Sequence, residues 1–428
     1  MKKEDIAQYF DDICGYDYEK QELMYLCDIM RNPEPYKALG ARIPRNVLLS
    51  GEPGVGKTLM SECLIKASGR KAFRVSKNED DENFVGTLLE TFRKARDEAP
   101  SIVFLDDMDK YSGGYFGQST EEATVQACID DMRDEEVFVI AAVNEKRGIS
   151  RSLIRAGRFD RNLHVNIPDR DSARQIIRRY FSETKEISDD IDIETIVDIT
   201  SGMTAVDIRT LANEAGVFAG FDRSDAITLD HIVKAYVSRM DNDRSDNHID
   251  DDERSKVTAC HEAGHAAVAE LLEPGSVGLV FAGRQAGRSE GFMSTAKSDA
   301  RVGCNQYRTI ILTALGGRAA TELVFGMPDR GAGCDISRAI IAIRKELTCL
   351  CTDGLGMAVC RQGEYEISNE HRNRLDRICR EKLKVYYSEV KSLLENNRGF
   401  LDMMAGALEE KGYLIAEDIC SLRKASGM

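Results

Sequence analysis

Between residues 45 and 145 the chain repeats one pattern: a short, wholly apolar run followed by an amphipathic stretch. The runs are Asn46-Val47-Leu48-Leu49-Ser50, Ile102-Val103-Phe104-Leu105 and Val137-Phe138-Val139-Ile140. Continuous rather than alternating runs belong to strands buried on both faces, so the segment predicts a parallel α/β sheet. From about Asp171 the period becomes helical, with Ile176, Ile177, Tyr180 and Phe181 on one face and a second helix around Ile208 to Ala219. It stays helical to about Met240, which predicts a small all-helical subdomain. The acidic stretch DNDRSDNHIDDDERSK, residues 241–256, has almost no apolar group and reads as an exposed linker entering a helix. The rest reads as largely helical, with one strand-like patch around Val277 to Phe292.

Composition narrows the classes. A chain of 428 residues is too long for one core, and 42% hydrophobic with 31% charged content is that of a globular protein. A net charge of -15 without a Lys/Arg block opposes binding to phosphate backbones, so no nucleic-acid partner is expected. No apolar run approaches the roughly 20 residues of a membrane span. The start, MKKEDIAQYFDD, lacks the apolar segment of a secretory signal, and a cytoplasmic location is expected. The 12 cysteines are scattered without a C-x-x-C pair and read as reduced thiols.

Gly51-Glu52-Pro53-Gly54-Val55-Gly56-Lys57-Thr58 fits G-x-x-x-x-G-K-[ST] between a strand and a helix. Its glycines let backbone N–H groups wrap phosphates, Lys57 reaches the β- and γ-phosphates, and the Thr58 hydroxyl can ligate Mg²⁺. The next strand ends in Asp106-Asp107, which places Asp106 to hold Mg²⁺ through water and Asp107 to activate the hydrolytic water. Asn144, ending the following strand, is placed to touch the γ-phosphate or the attacking water.

This order of motifs resembles an AAA-family ATPase, and Leu153-Ile154-Arg155-Ala156-Gly157-Arg158-Phe159-Asp160-Arg161 is similar to that family's arginine-finger segment. The resemblance implies that Arg158 and Arg161 reach a neighbour's nucleotide, and that the protein forms a homo-oligomeric ring, a hexamer. A guanidinium supplied in trans neutralises charge on the transferred phosphoryl group and makes hydrolysis depend on assembly.

His261-Glu262-Ala263-Gly264-His265 is H-E-x-x-H in a stretch free of proline, Glu253 to Leu272, that Pro274-Gly275 ends. On a helix, histidines at i and i+4 share a face and can hold one Zn²⁺, with Glu262 as general base. Spacing leaves the third ligand open between Glu322 and Asp335. With this site the resemblance narrows to the FtsH family of membrane AAA proteases, and it covers nearly the whole chain. It runs from Asp12-Ile13-Cys14-Gly15 through Gly202-Met203-Thr204 and Leu315-Gly316-Gly317-Arg318-Ala319-Ala320 to Leu393-Leu394-Glu395. The resemblance implies Ile13 and Gly15 at the nucleotide, Asp335 as third zinc ligand, Glu322 supporting the ligands, and Gly291-Phe292-Met293-Ser294-Thr295 as an edge strand that receives an extended substrate.

The implied architecture is an α/β P-loop AAA+ domain (1–170), a helical lid (171–240), an acidic linker (241–252) and a mainly helical zincin-type peptidase domain (253–428). Several positions depart from the family: Asp107 stands where Glu is usual, Ala142-Val143-Asn144 has no Thr before Asn, and Ala205-Val206-Asp207 replaces Gly-Ala-Asp. Phe84-Val85-Gly86 resembles the pore motif that grips substrate but lies about four residues too close to the helix carrying Phe92. Tyr115 and Phe116 are expected in a second pore loop. The activity implied is an ATP-dependent zinc endopeptidase acting on unfolded or tagged proteins, in a chain that is either a soluble relative, the expected case, or one trimmed of the family's membrane segments. The rivals are a remodelling ATPase with a scaffold-like peptidase domain, and a zinc peptidase that uses nucleotide for assembly.

Overall fold

The computed structural model describes residues 4–41, 43–77, 83–111, 119–145, 149–150, 152–154, 157–182, 187–188, 191–240, 252–285, 288–295, 304–328, 332–350 and 369–427. Residues 241–251 of the expected linker, and Tyr115 and Phe116 of the expected second pore loop, lie outside them. The chain divides into two compact units, Met1–Ser188 with Gly202–Ala235 and Asp189–Ser201 with Tyr236–Met428. Among the described residues no helix is long and apolar enough to cross a membrane.

In the first unit β1 (Asn46–Ser50), β2 (Lys71–Val75), β3 (Ser101–Leu105), β4 (Val137–Val143) and β5 (Arg161–His164) form one parallel sheet in the order β2-β3-β4-β1-β5. Every residue of β1, β3 and β4 is buried, as their unbroken apolar runs require. The edge strands β2 and β5 each bury a single residue, so their sequences carry no such run. Helices Phe84–Asp97 and Thr120–Asp131 close over one face through Leu88, Phe92, Val125 and Ile129, which join Leu48, Val103 and Val139 in one apolar cluster. Register pairs Ser50 with Val143 and Leu105 with Ala141. Gly51, Asp106 and Asn144 therefore leave the sheet at one carboxyl edge, where open α/β sheets place ligands.

Helices Arg170–Ser182, Ala205–Phe221 and most of Leu229–Met240 complete this unit. Helix Ile193–Ile199 groups with the second unit, where Gly278 passes so close to Asp198 that a Cβ would stand 2.4 Å from its carbonyl oxygen.

The second unit holds an antiparallel sheet, β6 (Val277–Gln285), β7 (Arg288–Thr295) and β8 (Tyr413–Ile415), ordered β7-β6-β8. The strand-like patch seen in sequence is thus a hairpin, and β8 is too short to leave a periodic signal. Helix Asp252–Leu272 crosses helix Cys304–Phe325 at Gly264 and Gly316, where a Cβ on either glycine would lie 2.5 Å from the other's carbonyl oxygen. Only a pair of glycines permits that approach. It brings the H-E-x-x-H segment down onto Gly317 of the neighbouring helix.

Candidate active sites

At the carboxyl edge of the parallel sheet, Gly51 to Gly56 form the turn from β1 into helix Lys57–Ser68, with Gly54 and Gly56 left-handed (φ 88° and 105°) and Val55 fully buried. Pro53 stands within this turn, which leads into the amino end of the helix, the end that in general attracts anions. Lys57 is buried, and its ammonium donates to the carbonyls of Gly51 (2.8 Å) and Glu52 (2.9 Å) and to Asn144 Oδ1 (2.9 Å). Burial pulls the Lys57 pKa below its ordinary value, against an opposing pull led by Asp109, then Asp107 and Asp106. Thr58 Oγ1 lies 3.4 Å from Asp106 Oδ1, while Arg74 takes the other Asp106 oxygen. Asp107 adopts φ 48° just past β3, and its carboxylate is 2.8 Å from Lys110 Nζ.

Ile13 is buried, and the Gly15 N–H donates to Gln175 Oε1 at 3.2 Å, which docks this segment on helix Arg170–Ser182. On the lid side, the Val206 N–H donates to the Gly54 carbonyl at 3.1 Å, and Thr204 and Asp207 form a capping box at the start of helix Ala205–Phe221. The start of helix Ala205–Phe221 therefore touches the glycine-rich turn directly.

The two arginines differ. Arg158, with 19% of its side chain exposed, grips Asp130 through Nε (3.1 Å) and Nη2 (2.8 Å) and donates from Nη1 to the Ser152 carbonyl at 2.6 Å. Arg161, 54% exposed at the start of β5, has a loose pair with Glu22 at 3.9 Å.

In the second unit His261, Glu262 and His265 lie on helix Asp252–Leu272, Asp335 lies in the first turn of helix Ala332–Cys349, and all four are buried. His261 Nε2 is 3.0 Å from Asp335 Oδ2, His265 Nε2 is 3.3 Å from it, and the two Nε2 atoms are 3.1 Å apart. Tetrahedral zinc with bonds near 2.0–2.1 Å sets its ligand atoms about 3.3 Å apart. His265 Nδ1 is 2.7 Å from the Thr313 carbonyl, an acceptor only, and 3.3 Å from the Gly317 N–H; the shorter contact favours the proton on Nδ1, with the Nε2 lone pair turned inward. Burial raises the pKa of Asp335, but hydrogen bonds to His261 and His265 outweigh it and hold this carboxyl well below the usual range. A Cβ on Gly317 would come within 2.5 Å of His265 Nε2 and 2.6 Å of His261 Nε2, so the glycine keeps that space open. These residues fit a zinc ion. Gly291 of β7 lies directly against Glu262, where a Cβ would meet its Cγ at 2.4 Å.

The family model for ATPases associated with various cellular activities (AAA) matches residues 47–167, and that for peptidase family M41 matches residues 248–422. The chain is 31% identical over 452 residues to the ATP-dependent zinc metalloprotease FtsH of Caldicellulosiruptor bescii, covering 96% of this chain and 71% of that one. The chain belongs to the FtsH family of ATP-dependent zinc metalloproteases. FtsH of Alkalihalophilus pseudofirmus is 30% identical over 442 residues, covering 96% of this chain and 65% of that protein. FtsH 3 of Synechocystis is 30% identical over 446 residues, covering 96% and 72%. The FtsH family brings Zn²⁺ to the peptidase domain and ATP with Mg²⁺ to the AAA domain.

Two further residues weighed from the sequence have defined surroundings. Phe84 opens helix Phe84–Asp97 at 2% exposure, its ring 4.8 Å from that of Tyr111, so of its two readings, a gripping residue or part of a shortened loop, the second, with Phe84 packed in the core, matches this fold. Glu322 pairs with Lys391 at 3.1 Å and with the Tyr387 hydroxyl rather than with either histidine. Sequence reading passed over Arg74 and Asp109; the D-x-D spacing of Asp107 and Asp109 was the available signal for the latter. Asp335→Asn is expected to weaken zinc binding by more than about a hundredfold, while Glu322→Gln keeps its metal. Elemental analysis after chelator dialysis checks this, and the reverse pattern would move the third ligand to Glu322.

Proposed function

We propose that this chain is a cytoplasmic, homohexameric, ATP-dependent zinc endopeptidase, in which residues 1–240 act as ATPase with lid and residues 253–428 cut unfolded or tagged proteins delivered to them. The observation that carries the reading is the convergence of His261, His265 and Asp335 within 3.0–3.3 Å, with Glu262 on the same helix, in a chain that also has a phosphate turn. Zinc, when bound, supplies Lewis acidity that polarises the scissile carbonyl and eases ionisation of water. Glu262 accepts a proton from that water and returns it to the leaving amine, and its buried position keeps competing solvent away. β7, an edge strand among the described elements, holds an extended substrate by backbone hydrogen bonds beside Glu262.

In the ATPase, Lys57, Thr58 and Asp106 hold the phosphates with their Mg²⁺. Asp107 and Asn144 serve the attacking water, and Ile13 and Gly15 flank the base. Arg158 and Arg161 act on the neighbouring subunit's nucleotide. Casein degradation measured with ATP, with a non-hydrolysable analogue and with a zinc chelator tests the reading. Cleavage requiring both hydrolysis and metal supports it. Equal cleavage with the analogue would make nucleotide an assembly factor, and casein-stimulated ATPase without cleavage would leave only a remodelling machine.

A further inference from the structure

Asp109 follows β3 by four residues, and Asn144 leaves the end of β4 beside it. The Asn144 N–H donates to Asp109 Oδ1 at 3.3 Å, and Asn144 Nδ2 donates to Oδ2 at 3.0 Å. A carboxylate only accepts, so this pair fixes which end of the amide is which: the NH₂ faces Asp109 and the oxygen faces Lys57 Nζ at 2.9 Å. The other two acceptors at that ammonium are backbone carbonyls of the phosphate turn. Asn144 Oδ1 is thus the one side-chain acceptor at the Lys57 ammonium among the described residues. The neighbouring carboxylates are engaged elsewhere, Asp106 with Thr58 and Arg74, and Asp107 with Lys110.

We propose that Asp109 is a positioning residue for ATP hydrolysis, which clamps the backbone and amide of Asn144 so that this side chain stays oriented when the γ-phosphate displaces its oxygen from Lys57. The inference rests on the reading that Asn144 and Lys57 serve the γ-phosphate. In this role Asp109 acts through Asn144 and not on the nucleotide. Without it Asn144 loses two hydrogen bonds and its amide turns freely about χ2, and misplacing a catalytic contact by about 1 Å costs on the order of a hundredfold in rate. Ground-state affinity depends on the backbone N–H groups of the phosphate turn and on Lys57, on which Asp109 acts through its charge, so the rate of turnover is the readout that isolates the clamp.

The test is a double-mutant cycle on the full chain, with ATP turnover, KM and fluorescent-ADP affinity measured for Asp109→Ala, Asn144→Ala, the double variant and Asp109→Asn. Asn144→Ala is expected to lower kcat by about a hundredfold and Asp109→Ala by about tenfold or more. In Asp109→Ala, KM and ADP affinity should weaken by no more than about twofold, because a carboxylate near the phosphates is removed, and the double variant should be no slower than Asn144→Ala alone. Asp109→Asn, which fills the same volume and keeps one acceptor oxygen, should recover part of the loss. Parental kcat in Asp109→Ala, multiplying effects in the double variant, or lost ADP binding in Asp109→Asn would each overturn the inference. Parental turnover in Asn144→Ala would instead remove Asn144 from the γ-phosphate site, whatever Asp109 does.

Discussion

Glu262→Gln is expected to bind zinc and fold as the parent does, yet to lose protein cleavage by a factor of at least about a hundred to ten thousand, the span that a positioned general base contributes. Gln fills the same volume against Gly291, whose backbone leaves no room for a larger rearrangement of the side chain. What disappears is the capacity to take a proton. His261, His265 and Asp335 keep their mutual geometry, so metal content should match the parent. ATP turnover should be unchanged as well, because the P-loop lies in the other compact unit. Casein cleavage at the parental rate with full metal would assign proton transfer to another group.

Arg158→Ala is expected to bind ATP normally and to lose turnover by a factor on the order of a thousand or more, as removal of a trans guanidinium does. The structure adds a second demand on this side chain. All three of its nitrogens are engaged within its own subunit, two on Asp130 and one on the Ser152 carbonyl, whereas Arg161 is held only loosely. Mixing separates the two roles. Rings combining Arg158→Ala subunits with Lys57→Ala subunits place an intact arginine beside an intact phosphate turn, and trans action predicts that turnover returns. Turnover that stays absent would mean that Arg158 works by bracing its own segment through Asp130.

Local motifs were the most legible part of the molecule. The phosphate turn and H-E-x-x-H each place their groups within one turn of helix or loop, so sequence spacing alone fixes the geometry. Asp335 stands 74 residues from His261, and helices Asp252–Leu272 and Ala332–Cys349 must pack before the two meet; spacing could not choose it over Glu322. Asp109 is likewise 35 residues from Asn144, brought there by the parallel pairing of β3 with β4. The strands that left no signal, β2, β5 and β8, are short or bury one face, so little apolar periodicity was there to read. Sequence leaves Phe84 between two readings, a gripping residue or part of a shortened loop. Its burial against Tyr111 is a tertiary fact that the local motif does not carry.

Among the described strands β7 is paired on one side only. A free strand edge accepts whatever extended backbone reaches it, so it reads conformation and is nearly blind to side-chain identity. If substrate is held on this edge, a natively folded protein resists cleavage because its own strands are already hydrogen-bonded, not because it lacks a target sequence. Susceptibility across different substrates should rank with the free energy of local opening of each one, so that a destabilising mutation far from any cleavage point shortens a substrate's lifetime as effectively as one beside it.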